Sequence, residues 1–337
     1  MTPERRPPRI FLATPAPAGT RLGNRITAAR WSAHLRALGA RVAVGREWRG
    51  ERCDLLIALH ARKSARSVRA FRAAHPTAPI VVAITGTDVY GPGGLGPSAL
   101  RSLATADLVV VLQREALRVL PRGARAKARV LLQSATPHRG RVAHTRDAFV
   151  VVAAAHLRPV KDPLLAARAV RRLAEGSRVR VEHFGAALDA RLAERARLAE
   201  RPPFAQRARR ETRSGARWRW LGDRPHAELL RALRAADAFV QTSRSEGGSA
   251  ALAEAIVSGL PILATRIPAS VGMLGARHRG LFPPGNARAL ARLLQRVETD
   301  PRFRRELARA SRSHAPLYAT ARERAGWRAL LRELALR

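Results

Sequence analysis

Two glutamates, Glu246 and Glu254, lie eight positions apart in the string Ser243-Arg-Ser-Glu-Gly-Gly-Ser-Ala-Ala-Leu-Ala-Glu254, which runs on to Ser258-Gly259-Leu-Pro261. The pattern predicts a strand, a glycine loop, a helix and another strand, with Glu246 on the loop and Glu254 inside the helix. Gly247, Gly248 and Ser249 would then offer backbone N–H groups at the positive end of the helix dipole. That is chemistry for a diphosphate, with a carboxylate on each side to accept hydroxyls. The alternative is an ordinary helix start, with Glu246 favourable near the N-terminus and Glu254 solvated on an Ala-rich helix.

A second cluster is His156-Leu-Arg158-Pro-Val-Lys161-Asp162-Pro163. It follows an apolar strand and precedes a helix, so its cations would sit at a strand's carboxyl end, where open α/β sheets collect their ligands. Lys161 and Arg158 would face a bound anion there. Asp162 also reads as a helix cap, with Pro163 at the first helical position.

Such loops need parallel sheets to carry them. Short β-branched and apolar runs alternate with Ala/Arg/Leu-rich segments of helical period, which predicts an α/β protein with two doubly wound domains in series. Strands are expected at 9–14, 41–44, 54–60, 80–85, 108–112 and 130–133, then at 149–155, 179–184, 217–221, 238–241 and 262–264. The first helix reads as 24–38, with Trp31, Leu35 and Leu38 on one side and Gly39 as its stop. Residues 136–146 are polar, carry Pro and Gly, and are read as the linker. The expected organisation is one Rossmann-like domain over 1–140, another over 147–315, and a helix over 316–337 that crosses back on its Trp327, Leu330, Leu331 and Leu334 stripe.

Composition narrows the function. At 337 residues the chain exceeds what a single core usually organises. The longest apolar run, 148–155, is too short to cross a bilayer, and nothing near the N-terminus reads as an export signal, so a cytoplasmic protein without a membrane partner is expected. A lone cysteine, Cys53, reads as packed and not catalytic. The net charge of +38 invites a nucleic-acid reading. Against it, only three of the 63 basic residues are Lys, the arginines are scattered over nearly every expected helix, and aromatics make up just 4%. Specific nucleic-acid binding is therefore not expected, although loose binding of polyanions at low salt is.

The glutamate pair and the lysine-ended turn resemble the retaining glycosyltransferases of family 4, whose GT-B fold has two Rossmann-like domains facing a cleft. The resemblance implies that Lys161 and a cationic neighbour hold a diphosphate, Glu246 lies at the donor sugar, and Glu254 binds the ribose. Where that family has Gly-Arg-Leu this chain has Ala155-His156-Leu157, which passes the arginine's role to Arg158 or His156. Longer strings are similar to the selenosugar synthases of selenoneine biosynthesis, in the same superfamily: 14–25, 53–62, Thr85-Gly-Thr-Asp88, His156 to Asp162, and Arg266-Ile-Pro268 with Val271-Gly272. This implies a reaction joining selenophosphate to the anomeric carbon of UDP-N-acetylglucosamine or UDP-glucose, with loss of UDP and phosphate. It also implies no metal, no cofactor, and a transient contact with a selenophosphate-producing enzyme. Ser249-Ala250-Ala251 departs from that family's pattern and leaves the sugar open.

In the first half, three loops at strand ends suit a small anionic acceptor: Arg21, Gly23, Asn24 and Arg25; His60, Arg62, Lys63 and Ser64; and Thr85, Gly86, Thr87 and Asp88. About one residue in six is Arg, which gives the arginines an equally good reading as solvated surface. The expected mechanism is electrostatic, with Lys161, Arg158 and the amides of 247–249 stabilising the departing diphosphate. A selenium anion is already a strong nucleophile, so His60 and Asp88 are expected to bind more than to move protons. The rival functions are transfer to an ordinary hydroxyl on a saccharide or lipid carrier, and non-enzymatic nucleic-acid binding.

Overall fold

The computed structural model describes residues 6–91, 93–136, 147–188, 204–215 and 217–336. The chain divides into two compact units, one of Met1–Ser134, Glu246–Ala250 and Leu317–Arg337, the other of Ala135–Ser245 and Ala251–Pro316.

The first unit runs β1 (Arg9–Ala13), α1 (Gly23–Ala37), β2 (Arg41–Gly45), β3 (Leu55–Leu59), α2 (Ala65–Ala74), β4 (Ile80–Ile84), α3 (Pro97–Thr105), β5 (Leu108–Val111), α4 (Arg122–Ala126) and β6 (Ala128–Val130). All its strand pairs are parallel, in the order β2-β1-β3-β4-β5-β6. The central strands Leu-Leu-Ile-Ala-Leu and Ile-Val-Val-Ala-Ile are buried at every residue. That is the signature of a sheet covered on both faces, and it is why these strands read as unbroken apolar runs instead of alternating ones.

The second unit runs β7 (Phe149–Ala154), α5 (Leu165–Val170), β8 (Val179–Phe184), α6 (Phe204–Ser214), β9 (Trp218–Gly222), α7 (His226–Ala235), β10 (Ala238–Gln241), α8 (Ala250–Val257), β11 (Ile262–Thr265), α9 (Pro268–Leu274), β12 (Leu281–Phe282), α10 (Ala287–Thr299) and α11 (Pro301–His314). Its parallel strands lie in the order β12-β11-β10-β7-β8-β9. The direction of winding reverses between β7 and β10, and in the first unit between β1 and β3. Doubly wound sheets bind their ligands at the carboxyl edge of such reversals.

The last helix, α12 (Thr320–Glu333), packs in the first unit. Trp327 meets Trp31 edge to face at 4.9 Å, and the buried Glu323 carboxylate accepts from Trp31 Nε1 at 2.8 Å, Ser134 N at 2.7 Å and Ser134 Oγ at 2.5 Å, with His34 Nε2 at 3.1 Å. Burial alone would raise the Glu323 pKa. Bonds from His34 and Ser134 and the charge of Arg30 outweigh it and hold the group below the ordinary carboxylate value.

Three local expectations shift. The sixth strand is 128–130 and not 130–133, because Leu131 donates to Val111 while Gln133 and Ser134 turn their side chains to Thr27 and Glu323. A sixth strand of the second sheet, β12, has only two residues and is too short for periodicity to reveal. Asp162 does not cap a helix. It takes a left-handed conformation (φ 40°, ψ 54°), α5 starts only at Leu165, and the carboxylate is held by arginines. Of the linker, only Thr136 falls among the described residues.

Candidate functional site

In the second unit the segments that leave β7 and β10 are bound into one another. After β7 the chain makes a short 3-10 turn over Pro159–Lys161, in which Lys161 N–H donates to Arg158 O at 2.9 Å. The β10 extension then seizes this turn. Thr242 Oγ1 donates to Lys161 O at 3.0 Å, Arg244 N–H donates to Val160 O at 2.8 Å, and the Arg244 guanidinium donates to Asp162 Oδ2 through Nε at 3.1 Å and Nη2 at 2.8 Å. From α5, Arg168 Nη2 donates to the other oxygen, Oδ1, at 3.0 Å. Pairs of this kind are charge-assisted, and the planar guanidinium fixes direction as well as distance. His156, Arg158 and Lys161 are all half-buried at this edge.

His156 Nδ1 accepts from Ala186 N–H at 3.1 Å, which sets the orientation of its ring. Beneath it the fully buried His183 donates from Nε2 to Ala155 O at 2.9 Å, and burial pushes this imidazole down to about 4. Glu254 lies on α8 and accepts from His226 Nε2 at 2.8 Å, from the first residue of α7. A hollow of about 330 Å³ lies behind the turn, bordered by Asp162, Arg168, Phe204, Arg207 and Arg244 among others.

The first unit organises its edge around a different carboxylate. Asp88 is fully buried and accepts from Thr85 N–H at 3.1 Å, Gly86 N–H at 2.7 Å and Ala61 N–H at 3.1 Å. It thereby joins the β4 loop to the β3 loop. His60, buried and in the positive-φ region at 73°, lies with Nε2 3.1 Å from Thr87 Oγ1 and Nδ1 3.8 Å from Asp88. Burial lowers its proton affinity, Asp88 opposes this, and Lys63 and Arg62 add to it, so the net shift is downward and the ring is neutral near pH 7. Arg62 and Lys63 are exposed in the turn that follows. Arg21 and Gly23 are exposed and Asn24 and Arg25 half-buried at the start of α1, a helix with neither a side-chain cap nor an acidic residue in its first turn. Cys53 is buried, and that burial raises its thiol to about 11, which makes it inert.

Glu246–Ala250 belongs by its contacts to the first unit. The glycines here answer a packing need. A Cβ on Gly247 would lie 2.4 Å from the carbonyl of Thr85 and one on Gly248 2.8 Å from Leu112 Cβ. Glu246 is half-buried, and Ser249 is buried immediately before α8.

The structure thus brings together His60, Thr87 and Asp88 in one unit, and places Arg158 and Lys161 on one clamped turn in the other. Sequence reasoning overlooked Arg244, although it lies inside the glutamate string, as well as Arg168 and His226. The one available signal was an Asp at a turn after Lys161, since Asp is among the few residues that tolerate the left-handed region. Among the described residues, no helix is long and apolar enough to cross a membrane and no group of three His, Cys, Asp or Glu could hold a metal ion.

Whole-chain similarity to solved structures is extensive. HepE from Anabaena, solved in complex with UDP and glucose, has a TM-score of 0.74 at 16% identity over 97% of this chain and 100% of its own. Sucrose-phosphate synthase from Thermosynechococcus elongatus has 0.75 at 17% over 98% and 100%. TarM from S. aureus, solved with fondaparinux, alpha-GlcNAc-glycerol and UDP, has 0.60 at 15% over 82% and 55%. At such identities the likeness speaks for the fold, which is GT-B. Residues 135–314, more than half of the 337, match the family model for glycosyl transferases group 1. With two parallel doubly wound sheets and a cationic turn at the reversal of the second, the chain belongs to the group 1 glycosyl transferases.

Proposed function

We propose that this enzyme takes its sugar from a UDP-sugar, UDP-N-acetylglucosamine or UDP-glucose, and joins it to selenophosphate. The observation that carries the donor half is the clamped turn: Arg158 and Lys161 sit at the strand edge where β7 and β10 diverge, and two segments that must order together are bound there by Thr242 and Arg244. The UDP complexes of HepE and TarM support uridine diphosphate as the leaving group. In this reading Lys161 and Arg158, with His156 and the amides of Gly247, Gly248 and Ser249, take the diphosphate charge. Glu254 takes the ribose and Glu246 the sugar.

The acceptor half rests on the resemblance of the long sequence strings and on the basic loops of the first unit. Asp88 already occupies the N–H groups of Ala61, Thr85 and Gly86, so an anion there depends on Arg21, Arg25, Arg62 and Lys63, with Gly23, Asn24, Thr87 and the neutral His60 around them. The selenium forms a bond to the anomeric carbon while the bond from that carbon to the UDP oxygen breaks, its electron pair leaving with UDP. Water then cleaves the Se–P bond, which releases phosphate and leaves the selenosugar. A nucleophile that arrives as an anion needs no proton removed, in keeping with a histidine held neutral.

The test is incubation of the protein with UDP-N-acetylglucosamine or UDP-glucose, with and without selenophosphate, followed by mass spectrometry. A selenium-bearing sugar formed together with UDP is the expected result. UDP release that requires a saccharide or lipid hydroxyl and ignores selenophosphate would replace the acceptor, and no UDP release under any condition would overturn the donor.

A further inference from the structure

We infer that Asp162 and Arg244 are positioning residues for the donor diphosphate, acting through Lys161. The inference rests on the donor reading above. Three observations carry it. First, Asp162 immediately follows Lys161 and holds a left-handed backbone conformation that most side chains avoid, and such strain persists only where the surroundings enforce it. Second, its carboxylate is buried and divided: Oδ1 takes Arg168 from the helix that follows, and Oδ2 takes Arg244 from the segment that follows β10. Third, the carbonyls of Val160 and Lys161, the two residues just before Asp162, accept from Arg244 N and Thr242 Oγ1. The backbone that carries Lys161 is therefore fixed on both sides, and the Asp162 pair with Arg244 and Arg168 brings side-chain charge to that fixture.

An ammonium on a flexible four-carbon stem directs poorly by itself. Its reach starts from its backbone, and a misplacement of about 1 Å can cost roughly 100-fold in rate. Asp162 and Arg244 need not touch the donor to matter. They set where Lys161 begins. Asp162 also engages both guanidiniums beside the turn and offsets one of their two positive charges, which holds them away from the place where Lys161 meets the diphosphate.

The experiment measures UDP affinity by calorimetry, and KM and kcat with UDP-glucose, for Asp162→Asn, Asp162→Gly, Arg244→Gln and the Asp162→Asn/Arg244→Gln double variant, beside Lys161→Ala. Asn tolerates the left-handed region and keeps the shape without the charge, while Gly keeps the backbone without the side chain. Arg244 is more than half exposed, so its substitution leaves a folded protein. The expected result is a loss of roughly tenfold or more in kcat/KM for Asp162→Asn and Arg244→Gln, carried by kcat as well as by UDP affinity. Asp162→Gly should be no better than Asp162→Asn, and the double variant no worse than the less active single, because both singles remove the Asp162–Arg244 pair. Arg244→Lys should recover part of the loss. A structural role alone would lower the melting temperature and leave the kinetic constants of the folded variants in place. Values within twofold of wild type for both single variants, with Lys161→Ala inactive, overturn the inference. If Lys161→Ala is itself active, the donor reading falls, and the inference falls with it.

Discussion

Each unit places a buried aspartate in the loop beyond a central strand, Asp88 four residues after β4 and Asp162 eight after β7, yet the two carboxylates are used in opposite ways. Asp88 gathers backbone N–H groups from two loops and so removes those amides from any ligand. Asp162 gathers guanidinium groups and so orders side chains and the turn that bears Lys161. A carboxylate that collects amides sets backbone shape, and its loss leaves buried donors without partners. One that collects guanidiniums sets charge placement, and its loss leaves cations that can still reach water. The first kind should therefore show in stability and the second in chemistry.

The largest expected effect tests the chemical side of this contrast. Lys161→Ala should lower turnover by about 100- to 1,000-fold, the ~2.7 to 4 kcal/mol that a group stabilising transition-state charge supplies, with unfolding unchanged. Steady-state kinetics with UDP-glucose and a urea titration measure the two sides. Turnover within a few fold of wild type would remove the donor assignment.

Asp88→Ala should do the reverse. It strips the partner from the N–H groups of Ala61, Thr85 and Gly86, and a cost of about 3 kcal/mol in urea unfolding is expected, with UDP affinity unchanged. A variant that unfolds like wild type but no longer binds UDP would invert the comparison.

Acid sharpens it further through His183 of the second unit. Its folded value of about 4 lies below the ordinary 6.5, so the unfolded chain takes up the proton first. Its contribution is fully present above about pH 6.5 and is lost as pH falls toward 4, about 2 kcal/mol of it between pH 7 and pH 5. His183→Gln should flatten that part of the stability–pH curve. An unchanged slope would show that other groups govern acid unfolding.

The smallest effect belongs to Thr242→Val, which removes the bond to Lys161 O and should cost about 1 kcal/mol by thermal melting, with a measurable rise in the KM for UDP-glucose. A melting loss with no change in KM would mean that the Arg244 contacts hold the turn without it.

Much of this architecture was legible in advance because strands buried on both faces must be continuous apolar runs, and β3, β4, β7 and β10 are such runs. The stripe on 320–334 announced that the last helix must pack on something. The positions of His156 to Lys161 and of His60 to Lys63 at strand ends followed from the same alternation. Asp162 was misread because capping is the commoner use of an Asp before Pro, and the left-handed turn depends on partners that local sequence does not contain.

What the sequence alone determined is local: which segments are strands and helices, where glycine is required, and which loops carry charge, since these depend on residues a few positions apart. The strand order, and with it the two reversals, was decided only by the tertiary structure. So were the meeting of Asp162 with Arg244, 82 positions away, and that of Asp88 with Ala61, 27 positions away. The physical reason is that a periodic pattern states which face of an element is buried and is silent on its neighbour, whereas hydrogen bonds and ion pairs form with whatever the packed sheets bring within 3 Å or so.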